Sequence, residues 1–231
     1  MNVLWIAPDV SGMPDLPRLD EIGGLSEIPG AVIRSVCGNI TRGRVAIELQ
    51  KLVDVVAWSG HGKKGRLFLT NGRTVGAGWV AAQAHLAAPK LFILAACGSG
   101  DPDQHLESLA HELSYQGINA VGFPFKASND GASTYIVEMV RAMAAGATVG
   151  AAHKVALAET AEVDKELADH IILIPALTNG YRDVVDQMMG FDARLGSVEK
   201  KIDIVMRTLN DHTSTNGNGI KKGFTDSEVL T

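Results

Sequence analysis

Cysteine is scarce in this sequence of 231 residues: only Cys37 and Cys97 occur. Two thiols cannot frame a disulfide-stapled fold, no paired-cysteine metal spacing exists, and a reducing compartment suits them better than secretion. Positive charge is not in excess either. Against 26 Asp and Glu stand 21 Lys and Arg, giving a net charge of −5, so there is no broad cationic field to hold nucleic acid. No apolar run approaches the length that spans a bilayer. The opening run Val3–Ala7 is too short for a signal h-region and lacks a basic lead. A cytoplasmic protein without membrane association is expected.

What is present is an ordinary globular composition, 46% apolar and 20% charged, too hydrophobic for a disordered chain. At about 150 residues per domain, the length allows one sizeable domain with an appendage, or two small ones. Short apolar runs alternate with amphipathic stretches, the rhythm of a parallel sheet covered by helices. The pattern predicts strands near 2–7, 44–49, 53–58, 91–96, 118–123 and 170–175, and helices near 19–37, 76–87, 102–116, 130–145 and 149–167. Gly65–Gly72 reads as a small hairpin with Asn71-Gly72 in its turn. Asp101 and Pro102 mark the start of one helix and Gly117 its end. Cys37 closes a helical stretch before Gly38 and is expected in the core.

Beyond Ala176 the character changes. Val184, Met188, Phe191, Leu195, Val198, Ile202, Val205 and Leu209 recur in steps of four and three, an a/d pattern sustained over about three and a half heptads. Gly190 and Gly196 weaken that helix by about 1 kcal/mol each, so it needs a partner surface. A second copy, a different protein or the main domain would each serve. The expected division is a domain over 1–176, an amphipathic, coiled-coil-like helix over 177–210 and a disordered polar tail over 211–231.

Two segments carry the chemistry. Val55-Val56-Ala57-Trp58-Ser59-Gly60-His61-Gly62 is an apolar strand ending in a histidine between glycines. Leu91–Ala96 is another, ending in Cys97 and followed by Gly98-Ser99-Gly100-Asp101. Both side chains are expected at strand C-termini, where open parallel sheets collect ligands. A nucleophilic thiol needs partial exposure, a base and a field favouring thiolate. The helix expected after Cys97 would supply some of that field. His61 titrates near neutrality and can accept and return a proton. The flanking glycines let a substrate backbone approach, and backbone amides of Gly62 and Cys97 could stabilise an oxyanion.

These segments resemble the CHAT-type peptidases of the broader caspase, separase, gingipain and clostripain group. The family shows a strand running into Ser/Ala-Gly-His-Gly and, further on, a strand ending in Ala-Cys and a small-residue turn; the interval of 36 residues between His61 and Cys97 fits it. Asp54-Val55-Val56 is similar to the family's strand opening, Gly117–Phe123 to its next buried strand, and Asn129–Ala132 with Met143–Val149 to its next helix and turn. Val3–Ala7 and Arg18–Ile22 are similar to the start of the short bacterial members. The likeness covers about residues 1–176. It implies a caspase-like three-layer α/β/α sandwich with a mostly parallel sheet. It also implies Cys97 as nucleophile, His61 as general base and acid, Gly62 and Cys97 as oxyanion donors, and no metal or cofactor. The implied reaction is hydrolysis of a protein substrate through an acyl-enzyme thioester. Bacterial relatives suggest an effector in conflict or antiviral defence that is held inactive until a partner engages it. The C-terminal helix lies outside the likeness, and it is the a/d stripe that makes residues 181–209 the expected place for an activating partner or a second copy.

Competing readings are weaker. Ser59 and Ser99 lack the G-x-S-x-G elbow of a serine nucleophile. Gly60–Gly65 lacks the order of a phosphate loop. His85, His105, His111, His153 and His170 show no metal-ligand clustering. Asp9, Asp101 and Asp130 lie near the proposed mouth and could select a basic side chain, although Asp101 and Asp130 also suit helix caps. A rival of another class is a non-catalytic scaffold of the same fold acting through the C-terminal helix. Intact Cys97 and His61 speak against it.

Overall fold

A computed structural model describes residues 1–10, 12–13, 18–63, 65–84, 87–97, 109–123 and 127–177, excepting the side chains of Lys63, Asn71 and Cys97. The apolar stripe and polar tail expected over 177–231 lie outside the described residues, Leu177 apart.

The N-terminal half opens with β1 (Asn2–Pro8), α1 (Arg18–Ser26), β2 (Val32–Gly38), α2 (Arg42–Leu49) and β3 (Val55–Ser59). A small antiparallel sheet follows, made of β4 (Gly62–Lys63), β5 (Arg66–Phe68) and β6 (Thr74–Gly76). Next come α3 (Ala77–Ala84), β7 (Leu91–Cys97), α4 (Leu109–Tyr115) and β8 (Asn119–Phe123). The described chain closes with α5 (Asn129–Ala144), α6 (Val149–Val163), α7 (Lys165–Ala168) and β9 (Ile172–Ile174).

The main sheet has the order β2-β1-β3-β7-β8-β9. Every neighbouring pair is parallel except β8 with β9. The central strands are buried on both sides, which explains their continuous apolar runs. Side chains alternate between two cores. Leu4, Ile6, Val56, Trp58, Phe92 and Leu94 pack with α2, α3 and α4. Val3, Trp5, Val55, Ala57, Leu91 and Ile93 pack with α1, α5 and α6. This is the expected α/β/α sandwich with a mostly parallel sheet.

Several expectations are corrected. Residues 44–49 form part of helix α2, not a strand. Thr41 caps it by accepting a hydrogen bond from the Arg44 amide. Val45, Glu48 and Leu49 share the buried face while Ile47 is exposed; so short an apolar run fits either period. Conversely, the helix expected over 19–37 stops at Ser26. Pro29 and Gly30, the latter at φ 76°, turn the chain into edge strand β2, a break that proline next to glycine signals. Cys37 is therefore an exposed residue of a sheet edge rather than part of the core. The hairpin is also longer than expected, with a 3-10 turn over Thr70–Gly72 joining β5 to β6.

At the amino ends of the strands, Asp54 accepts from the Asn2 amide at 2.8 Å and pairs with Lys90 at 2.9 Å. These bonds tie together the starts of β1, β3 and β7.

Candidate active site

The two segments singled out from sequence end side by side. β3 and β7 are neighbouring parallel strands, with Ser59 in register with Ala95. The Gly60 amide donates to the Ala95 carbonyl at 3.1 Å, which carries the pairing one step past β3. His61 lies two residues beyond Ser59, and Cys97 two beyond Ala95. Their backbones thus leave the sheet on adjacent strands at the carboxyl rim, where loops and free amides meet.

His61 is half-buried, and its carbonyl accepts from the Phe68 amide at 2.9 Å. That bond starts the β4–β5 ladder, in which Gly62 pairs with Leu67. Gly62 consequently occupies the non-hydrogen-bonded position, with its amide directed away from β5. β4 itself lies against β7.

β7 changes register on its other side. Leu94 pairs with Gly122 but Cys97 with Phe123, so two residues of β7 bulge between consecutive partners on β8. Bulges of this kind recur next to active sites, where they re-aim the chain.

Asp9 is exposed and ion-paired with Arg18, whose guanidinium also donates to the Pro8 carbonyl at 2.9 Å. A basic substrate group at Asp9 would have to compete with Arg18. Asp130 is exposed in the first turn of α5. It is not the cap of that helix: Ser128 is, accepting from the Gly131 amide at 3.1 Å. Asp101, Ser99 and the helix start expected at 101–102 lie outside the described residues, as do His85 and His105. Among the described residues, no three His, Cys, Asp or Glu side chains are grouped to hold a metal ion. No described helix is long and apolar enough to cross a membrane.

Sequence reasoning missed a buried polar node just below the rim. Glu21 of α1 is 1% exposed. Its Oε1 accepts from Ser59 Oγ at 2.9 Å and from Ser133 Oγ of α5 at 3.2 Å. Its Oε2 accepts from Trp5 Nε1 of β1 at 2.9 Å. Burial pushes the Glu21 carboxyl above the usual range, while the bonds from Ser59, Trp5 and Ser133 and the charge of Arg18 pull the other way. The only trace in the sequence is an acidic residue one helical turn before the buried Leu25.

No family model matches the chain, and no curated protein matches it. Among solved structures, the chain is similar to the Arg-specific cysteine proteinase gingipain R, with a TM-score of 0.58 and 13% identity. The match covers 76% of this chain and 46% of that one, so this chain spans just under half the length of the proteinase it matches. The likeness shows the fold: a caspase-like α/β/α sandwich.

Proposed function

We propose that the protein is a cysteine endopeptidase of CHAT type. Cys97 attacks the scissile carbonyl as thiolate, and His61 first takes the thiol proton and then gives it to the leaving amine. The amides of Gly62 and Cys97 receive the oxyanion. Water then cleaves the thioester and regenerates the thiol, and no metal or organic cofactor takes part.

The observation that carries this reading is the register of Ser59 with Ala95, which sends the His61 and Cys97 backbones off adjacent strands at one rim. The fold shared with a cysteine proteinase supports it, as does the outward amide of Gly62. Specificity belongs to the proposal too: Asp9, Asp101 and Asp130 are the candidate carboxylates, with Asp9 competing against Arg18.

Activation by a protein partner, or by a second copy, through residues 181–209 completes the reading. The setting would be a bacterial conflict or antiviral defence system acting in the cytoplasm. The test is labelling with iodoacetamide followed by peptide mapping. Cys97 should react faster than Cys37 in the wild type and slow to the rate of an ordinary thiol in His61→Ala. Cys97→Ala should abolish cleavage while folding normally; residual proteolysis in that variant would remove the assigned nucleophile.

A further inference from the structure

Three glycine-rich residues, Gly60-His61-Gly62, follow the last residue of β3. Glycine on either side of a histidine leaves its backbone free to wander unless something holds it. Two anchors lie within the sheets: the Gly60 amide on Ala95 and the Phe68 amide on the His61 carbonyl. The third comes from the helical layer. Ser59 stands on the α1/α5 face, where Val55 and Ala57 of the same strand belong to the apolar core. A hydroxyl there is costly unless bonded, and its bond goes to Glu21 at 2.9 Å.

The same carboxylate also takes the Trp5 indole N–H and the Ser133 hydroxyl. One buried group thereby fastens β1, β3, α1 and α5 immediately beneath the rim. Alanine at 59 and leucine at 21 would fill such a core at lower cost, since a buried carboxylate is expensive even when fully bonded. Buried polar networks that are fully satisfied fix a unique geometry.

We propose that Glu21 is a positioning residue for His61: through Ser59 it fixes the direction in which β3 delivers the Gly60-His61-Gly62 turn towards β7. This inference rests on the proposed Cys97–His61 chemistry, although the orientation of His61 can be measured without it. Glu21 touches neither substrate nor reacting atoms. It acts by holding the strand end from which the imidazole projects.

Ser59 and Ser133 separate this role from mere fastening, because both donate to Oε1 of Glu21 but only Ser59 leads to His61. The variants are Glu21→Gln, Ser59→Ala, Ser133→Ala and the Glu21→Gln/Ser59→Ala double. Two readouts apply to each: the ring nitrogen chemical shifts of His61, recorded in a Cys97→Ser background, and the rate at which iodoacetamide labels Cys97. Glu21→Gln and Ser59→Ala should each shift the His61 ring signals and slow labelling about tenfold, since small misplacements of catalytic groups are costly in rate. The double variant should be no worse than either single, because both cut one chain of contacts. Ser133→Ala should leave both readouts as in the wild type.

Unchanged His61 signals in folded Ser59→Ala would overturn the proposal, and so would Ser133→Ala matching Ser59→Ala. If Glu21→Gln does not fold, Ser59→Ala, which removes a single hydroxyl, decides alone. A His61→Ala variant that labels at the wild-type rate would instead sink the Cys–His reading, and the ring shifts would still decide the role of Glu21.

Discussion

The Tyr135 hydroxyl meets His153 Nδ1 at 2.6 Å, joining α5 to α6. Tyr135 is fully buried, and its ring stands edge-on to both Phe123 and His153. Burial pushes the Tyr135 phenol far up, so it stays protonated. Burial also holds His153 below its ordinary 6.5. A histidine depressed in the folded state stabilises the fold above its unfolded value, and that contribution is lost as pH falls through 6.5 towards the folded value. Thermal melts from pH 8 to 5 (about one and a half units on each side of the histidine midpoint) should show a falling Tm on the acid side. His111, also lowered by burial, adds the same sign. The His153→Gln variant should lose part of that slope, and an identical slope in both proteins would refute the assignment.

Glu21 has the opposite sign. Its carboxyl is raised, so the stability it adds is complete below the ordinary 4.5 and is lost as pH rises through the raised value. Denaturant titrations should therefore give a shallower decline in Glu21→Gln than in the wild type as pH rises from 4.5. Glu21→Ala strands the buried Trp5 and Ser59 donors and removes the acceptor of the half-buried Ser133, and should cost roughly 2–4 kcal/mol. A loss below about 1 kcal/mol would mean that water replaces the carboxylate.

Gly60 has no room for a side chain. A Cβ there would lie 2.8 Å from Trp58 Nε1 and 3.0 Å from Trp58 Cδ1, atoms of an indole that is itself fully buried. Gly60→Ala should cost about 1–3 kcal/mol by overpacking. Gly76→Ala, where a Cβ meets nothing within 4 Å, should stay within about 0.5 kcal/mol. Equal midpoints for the two variants in urea would contradict the packing argument.

The chain after β9 is tied back to the sandwich. The Leu177 amide donates to the Ser114 carbonyl at 3.1 Å, the Ala176 amide to Asn119 Oδ1 at 3.0 Å, and the Ser114 hydroxyl to the Pro175 carbonyl. Truncation after Leu177 should thus preserve the Tm of the domain, whereas truncation after Ile174 should lower it. If residues 181–209 hold the partner surface, the first truncation also changes the mass measured by light scattering or abolishes partner capture. An unchanged oligomeric state and unchanged partner binding would refute that role.

What the sequence made legible follows from how local each signal is. β1, β3, β7 and β8 announce themselves as apolar runs because they are buried on both faces. The same runs lead to His61 and Cys97, so the sequence alone marks where each of the two strands ends. β2 and α2 were exchanged because both are short and lie at the sheet's edge. There Ser35 and Cys37 are exposed on the strand, and Ile47 on the helix, so neither shows a clean period. Capping of α5 by Ser128 rather than Asp130 depends on where the helix begins, a matter of two residues. The Glu21 node could not be read at all. Its partners Trp5, Ser59 and Ser133 lie 16, 38 and 112 residues away, and only tertiary folding gathers them.

The two surplus residues of β7 between Leu94 and Cys97 divide that strand into halves with different tolerance. Before Leu94 the strand is locked to β3 and β8 at once, and inserting a single residue would exchange its two faces, sending Phe92 and Ile93 into each other's core. Past Leu94 the grip of β8 has already slipped by two positions, and only β3 still holds Ala95, so a length change between Ala95 and Cys97 disturbs a single remaining pairing, that of Cys97 with Phe123. The short stretch between Ala95 and Cys97 can therefore change shape while the scaffold beneath remains intact.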